Sequence, residues 1–114
     1  MSPITTHVLD IARGRPARGI AVTLQIARAP DRWTELARGT TGDDGRVEQF
    51  DPPLAPLETA VYRLRFATGA YFAALGVGAF YPEVSVVLQI DDPDQHYHVP
   101  LLLSPFGYST YRGS

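Results

Sequence analysis

Three histidines and one arginine hold most of the chemistry open to this chain: His7, His96, His98 and Arg46. An imidazole takes or gives a proton near neutral pH. A guanidinium offers a planar fork of donors to an anionic, planar substrate and can stabilise developing oxyanion charge. All ten basic residues are Arg, so a lysine Schiff base or lysine general base is excluded. The absence of cysteine removes disulfides and thiolate metal centres. His96 and His98, two positions apart, could chelate zinc with His7 or an aspartate, but any His-x-His strand meets that spacing. Neither a metal nor a cofactor is expected. No Gly-x-Ser-x-Gly elbow exists and no serine sits in a strand-to-helix turn, so covalent serine catalysis is not expected either. What remains is a metal-free arrangement of imidazole and guanidinium.

Strands must position these groups. Ile4–Asp10 reads as a strand with Ile4, Thr6 and Val8 on one face and Thr5, His7 and Leu9 on the other. Gln95–Leu103 reads as another, with Tyr97, Val99, Leu101 and Leu103 opposite His96, His98, Pro100 and Leu102. If Val8 and Val99 look into a core, His7 and His98 look out, onto a surface rich in Leu and Pro. Such a surface predicts a buried interface or pocket rather than open solvent. Arg46 begins Arg46–Phe50, which Gly42-Asp43-Asp44-Gly45 joins to Trp33–Thr41 as a predicted hairpin.

The remaining chain has the same texture. Ten Gly and ten Pro punctuate short runs, which favours an all-β sandwich or barrel over a helix bundle. Gly19–Ala27 alternates cleanly, Tyr62–Ala67 and Glu83–Ile90 are further strands, and Tyr108–Arg112 is a final short one. Gly14–Gly19, with Pro16, reads as a loop. The one predicted helix is Gly69–Leu75, with Tyr71, Phe72 and Leu75 on one side and Gly76 and Gly78 ending it. That makes about eight strands and a short helix.

At 114 residues with no repeat or linker, one domain spanning 1–114 is expected, large enough to close a core without staples. The net charge of −2 argues against a nucleic-acid or anionic-membrane partner. No signal peptide, membrane span or peroxisomal tripeptide is visible, so the expected location is cytoplasmic.

Four segments, in order, carry a family resemblance: TTHVLD followed by GRPA, then TGDDGRV, then FYPEV, then HYHVPLLLSPFGYSTYRGS. Together they resemble the 5-hydroxyisourate hydrolases, the transthyretin-like enzymes of purine breakdown, over essentially the whole chain. The resemblance implies a transthyretin-like sandwich of two four-stranded sheets with one short helix. It also implies a homotetramer, a dimer of dimers whose interface forms the channel holding the active sites. Its implied site residues are His7, Arg46, His98 and Tyr111 to Ser114, with no departure at any of them. His96 falls outside the core of the pattern and is expected to be a bystander. One of His7 and His98 would activate water while the other orients or shuttles the proton. Arg46 would grip the substrate, Tyr111 would pack on its flat ring, and Ser114 would fix the site with its hydroxyl or α-carboxylate. Alternation along Tyr108–Arg112 likewise points Tyr111 into the channel with Ser109. The implied reaction opens 5-hydroxyisourate to 2-oxo-4-hydroxy-4-carboxy-5-ureidoimidazoline. A non-catalytic small-molecule carrier of the transthyretin type is the alternative, although two imidazoles and a guanidinium suit a carrier channel poorly. A purely structural sandwich explains neither the polar cluster nor the chain ending.

Overall fold

Alternation of apolar and polar residues decides the architecture. The computed structural model describes residues 2–114. Within them lie β1 (Ile4–Asp10), β2 (Arg15–Pro16), β3 (Ala21–Ala29), β4 (Arg32–Thr40), β5 (Arg46–Val47), β6 (Ala60–Phe66), α1 (Thr68–Ala74), β7 (Val84–Ile90), β8 (Tyr97–Ser104) and β9 (Gly107–Thr110). One sheet runs β4-β3-β6-β7 and is antiparallel throughout. The other runs β2-β1-β8-β9, with β5 added to β1. The expected two-layer sandwich is therefore present, with a fifth, two-residue strand in one layer.

The inward positions of each strand build the core. Ile4 and Val8 of β1 meet Val22, Leu24 and Ile26 of β3, Leu64 and Phe66 of β6, and Leu101 and Leu103 of β8 in one buried cluster. Each such side chain contributes about 1.5–3 kcal/mol by leaving water. The outward positions of β1 and β8 are the ones free to carry chemistry.

Within the second layer, β1 and β8 run parallel, pairing Thr5 with His98 and His7 with Pro100. The opposite edge of β1 is shared. β2 covers it at Leu9 and Asp10, and β5 covers it at Thr6 and His7. Gly14–Gly19 is thus not wholly a loop. Pro16 pairs in a strand because an outer edge asks nothing of its missing N–H.

The predicted hairpin is corrected. The turn itself forms, with Gly45 N–H donating to the Gly42 carbonyl at 2.9 Å. Its flanks, however, enter different layers, β4 against β3 and β5 against β1. Arg46–Phe50 pairs as a strand only over Arg46–Val47. Val47 and Phe50 are both buried, which pulls the chain across the core. It rejoins β4 at Asp51, which exchanges backbone bonds with Arg38 at 2.8 and 2.9 Å.

Smaller boundaries shift as well. The helix starts at Thr68, and Phe72 is its buried anchor, while Leu75 is 40% exposed rather than packed inward. Gly76, at φ +70°, ends it with paired bonds from Gly76 N–H to Ala73 and from Val77 N–H to Phe72. β8 begins at Tyr97, so His96 precedes the strand. β9 stops at Thr110, two residues short of Arg112.

Gly45 adopts φ +78°, and a Cβ there would overlap the Val8 carbonyl oxygen. Gly45→Ala is expected to lower the stability of the fold by at least about 1–2 kcal/mol, the cost of a left-handed backbone with a side chain. A fall in the denaturant midpoint with an unchanged slope checks it.

Candidate active site

Strand register, rather than sequence proximity, assembles the polar side chains. On the outward face of β1, His7 is flanked by Arg46 on β5 and Pro100 on β8. One step along the same face, Thr5 lies beside His98. An open pocket of about 390 Å³ is lined by Thr5, Thr6, Arg46, Glu48, His96, His98 and Ser114. Of the expected site residues, Arg46, His98 and Ser114 line it directly. His7 stands at its edge, paired with Arg46 and close enough for its charge to act on His98.

The turn before β5 aims Arg46. Its N–H donates to the Asp44 carboxylate at 3.0 Å, while its guanidinium lies a loose 4.0 Å from that same group. The fork is therefore not consumed by a tight partner. A charge at this distance and exposure contributes little to stability, which leaves the guanidinium for a ligand.

His98 is held far more closely. Its Nδ1 lies 2.8 Å from the Thr5 hydroxyl, and the same hydroxyl lies 3.1 Å from Nε2 of His96. The two rings are nearly parallel, with centroids 6.5 Å apart. Burial pushes the pKa of His98 below its ordinary 6.5, and the charges of Arg46, His7 and His96 push the same way, while Glu48 opposes them. His98 is therefore a neutral imidazole at neutral pH, competent to accept a proton. Protonating it is harder in the folded chain than in the unfolded one. Its contribution to stability is accordingly lost as pH falls below 6.5 and is unaffected above it.

The tail arrives by a broken ladder. The pairing of β8 with β9 runs from Ser104–Gly107 to Leu101–Thr110 and resumes as a lone bridge between His98 and Gly113. In that register Tyr111 falls opposite Pro100, which has no N–H to give. The strand stops there, and Thr110 instead donates its hydroxyl to the Pro100 carbonyl at 2.7 Å. Arg112 turns away from the pocket, its guanidinium 4.3 Å over the Tyr97 ring and 2.8 Å from the Gln95 side-chain oxygen. Gly113 N–H then bonds the His98 carbonyl at 2.8 Å.

Two residues lie where the sequence did not place them in a single chain. Tyr111, 56% exposed, is not among the residues lining the polar pocket of a single chain. It borders a separate recess beside Val86–Gln89, Tyr97 and Val99. His96, expected as a bystander, lines the pocket and shares Thr5 with His98. Thr5 and Glu48 were not singled out from the sequence as site residues. The signal for Thr5 was its place on the His7 face, but its partner lies 93 residues away and follows only from the parallel register. Among the described residues, no group of three or more His, Asp or Glu side chains is placed to hold a metal ion.

A transthyretin-type sandwich that carries imidazoles and a guanidinium on one outer face is the class this fold and pocket define. The profile of the HIUase/Transthyretin family matches residues 4–113. The chain is 49% identical over 111 residues to a probable 5-hydroxyisourate hydrolase of Caenorhabditis elegans, covering 97% of this chain and 81% of that protein. Among solved structures, 5-hydroxyisourate hydrolase from Klebsiella pneumoniae superposes with a TM-score of 0.83 at 37% identity, covering 97% of this chain and 98% of that one. Sea bream transthyretin in complex with thyroxine superposes with a TM-score of 0.87 at 31% identity, covering 97% and 94%. The chain belongs to the HIUase/Transthyretin family.

Two substitutions probe the geometry. Arg46→Lys keeps the charge but loses the fork, and kcat/KM is expected to fall at least about 10-fold in a 5-hydroxyisourate hydrolysis assay. At Gly113 a Cβ would sit 2.7 Å from Cδ2 of His98 and 3.2 Å from Pro100. Because Thr5 holds the far side of that ring, Gly113→Ala is expected to displace the imidazole or the tail and lower kcat about 10²-fold with an unchanged thermal midpoint.

Proposed function

We propose that this protein hydrolyses 5-hydroxyisourate, opening one amide bond of its six-membered ring to yield 2-oxo-4-hydroxy-4-carboxy-5-ureidoimidazoline. The carrying observation is His98 and an uncommitted Arg46 guanidinium lining one pocket, with His7 paired beside Arg46. Relatives and a solved structure bearing that activity in their names, at 37–49% identity over 97% of this chain, support the substrate.

In the proposed reaction Arg46 holds the planar, anionic ring and draws charge toward its carbonyl oxygen. One imidazole of the pair His7 and His98 takes a proton from water as the water oxygen attacks the ring carbonyl. The C–N bond then breaks, and the leaving nitrogen receives the proton through the other imidazole. The carbonyl carbon stays attached to the opened molecule as the new carboxyl group, which releases its proton to solvent to give the carboxylate. Ser114 lies in the pocket, where its hydroxyl can donate to substrate or accept from a guanidinium. Tyr111 is proposed to meet the substrate ring only in the assembled protein, from the neighbouring recess it borders.

That assembly is proposed to be a homotetramer, a dimer of dimers. The open pocket of one chain, the outer strands β7 and β9, and exposed Phe80, Val87 and Tyr108 all support it. One domain is proposed to span 1–114, with Met1 outside the described residues. The proposed location is cytoplasmic. No helix among the described residues is long and apolar enough to cross a membrane.

The direct test generates 5-hydroxyisourate in situ with urate oxidase and follows its absorbance. Decay well above the spontaneous rate, from a protein that sediments as a tetramer, is the expected result. A protein that binds the compound without accelerating its decay would instead be a carrier, the reading that the likeness to thyroxine-bound sea bream transthyretin supports. A fully active monomer would refute the shared channel.

A further inference from the structure

Thr5 is almost completely buried, and its one hydroxyl faces an imidazole nitrogen on each side, at 2.8 Å from His98 and 3.1 Å from His96. A hydroxyl has a single proton to donate. It cannot donate to both rings, so when it donates to one it must accept from the other. Two arrangements satisfy all three groups. In the first, His98 Nδ1–H donates to Thr5 and Thr5 donates to His96 Nε2, which leaves His98 Nε2 as a bare lone pair. In the second, His96 Nε2–H donates to Thr5 and Thr5 donates to His98 Nδ1, which leaves His98 Nε2 carrying a proton.

We propose that Thr5 is a positioning residue that couples the two rings, so that the protonation state of His96 selects whether His98 Nε2 accepts or donates a proton. With His96 neutral, the first arrangement holds and His98 presents its lone pair. Once His96 is protonated, its Nε2–H must donate, the Thr5 proton moves to His98 Nδ1, and a neutral His98 becomes a donor at Nε2. The surroundings favour the first arrangement at neutral pH. Arg46 brings its positive charge to the same pocket, and a lone pair facing a cation lies lower than an N–H facing it. The direction of the ring supports it as well. Gly113 packs against the Cδ2 edge and Thr5 holds the Nδ1 edge, so Nε2 is left for the pocket.

The charged and titratable groups that act on His98 are His7 on β1, Arg46 on β5, Glu48 just beyond it and His96 before β8. Only His96 reaches Thr5, so only His96 acts through it. The others act on His98 directly, by charge.

This proposal rests on the hydrolase reading for its catalytic meaning, but its central test needs no substrate. Long-range proton–nitrogen spectra of the uniformly 15N-labelled tetramer report which ring nitrogen of each histidine carries the proton. At neutral pH His98 is expected to be protonated on Nδ1 and bare on Nε2. On acidification, the His98 tautomer is expected to switch in step with the titration of His96. In Thr5→Val the shape is kept and the hydroxyl lost, so the two rings are expected to titrate independently and His98 to populate both tautomers. Thr5→Ser is expected to restore the coupling.

In turnover, Thr5→Val is expected to lower kcat at least about 10-fold with little change in KM, since a mispositioned base affects the chemical step rather than binding. Thr5→Ser is expected to recover most of that loss. His96→Gln removes the second imidazole, so the acid limb of kcat is expected to lose one component. A neutral-pH His98 protonated on Nε2, or Thr5→Val spectra identical to wild type, would overturn the proposal. So would an unchanged acid limb in His96→Gln. A wild-type protein inert toward 5-hydroxyisourate would sink the hydrolase reading instead and leave the spectra to stand or fall alone.

Discussion

The parallel ladder between β1 and β8 is the constraint from which the rest of the molecule follows. It sets Thr5 beside His98 and His7 beside Pro100, joining residues from opposite ends of the chain. Thr6 reinforces it from within, donating its buried hydroxyl to the Val99 carbonyl at 2.6 Å. Strand alternation makes the register all-or-none. A slip of one residue in β1 would turn His7 into the core and expel Val8, and the same slip in β8 would bury His98 and expel Val99. Burying imidazoles without partners while exposing branched apolar side chains costs on both counts. The hydrophobic core therefore holds the spacing of these outward polar residues as a by-product of holding itself together.

Around that ladder, buried polar groups tie the loops that frame the site. Thr41 donates to the Ala17 carbonyl and accepts from Ile20 N–H, which fixes the entrance to the turn before Arg46. Asp10, at the end of β1, accepts from the Tyr71 hydroxyl at 2.7 Å and from Arg13 N–H at 3.0 Å, fastening the helix to the strand that bears His7. Burial and the neighbouring Asp10 carboxylate both raise the pKa of Tyr71, so this phenol stays a donor well above neutral pH. Each tie satisfies a group that would otherwise be costly to bury.

What could be read from the sequence was whatever depends on period two. The faces of Ile4–Asp10 and of the strand through His98 were legible because Val8, Val99 and Leu101 alternate with polar or reactive neighbours. The sandwich, the outward histidines and the short helix followed from that pattern and from family resemblance. Pairing partners were not legible, because nothing local in Thr5 or His98 encodes a parallel neighbour. The Gly42–Gly45 turn looked like a hairpin for the same reason. Turn chemistry sets how the chain reverses, while burial of Val47 and Phe50 sets which layer it enters. Alternation could not place Tyr111, because the strand it was read on ends at Thr110. The ladder it relied on loses its donor at Pro100.

That missing donor also bears on motion. Beyond Thr110 the tail is fastened at separate points, Arg112 on the Tyr97 ring and the Gln95 side chain and Gly113 on the His98 carbonyl, rather than by a continuous zipper. A net hydrogen bond contributes on the order of 1 kcal/mol, so freeing the last residues takes far less than unfolding the sheet. Backbone exchange protection should therefore drop between Thr110 and Gly113 while β8 stays fully protected. The rim that the tail forms is thus held by isolated contacts, and the floor beneath it by the continuous pairing of β1 with β8. The one can loosen while the other keeps its register.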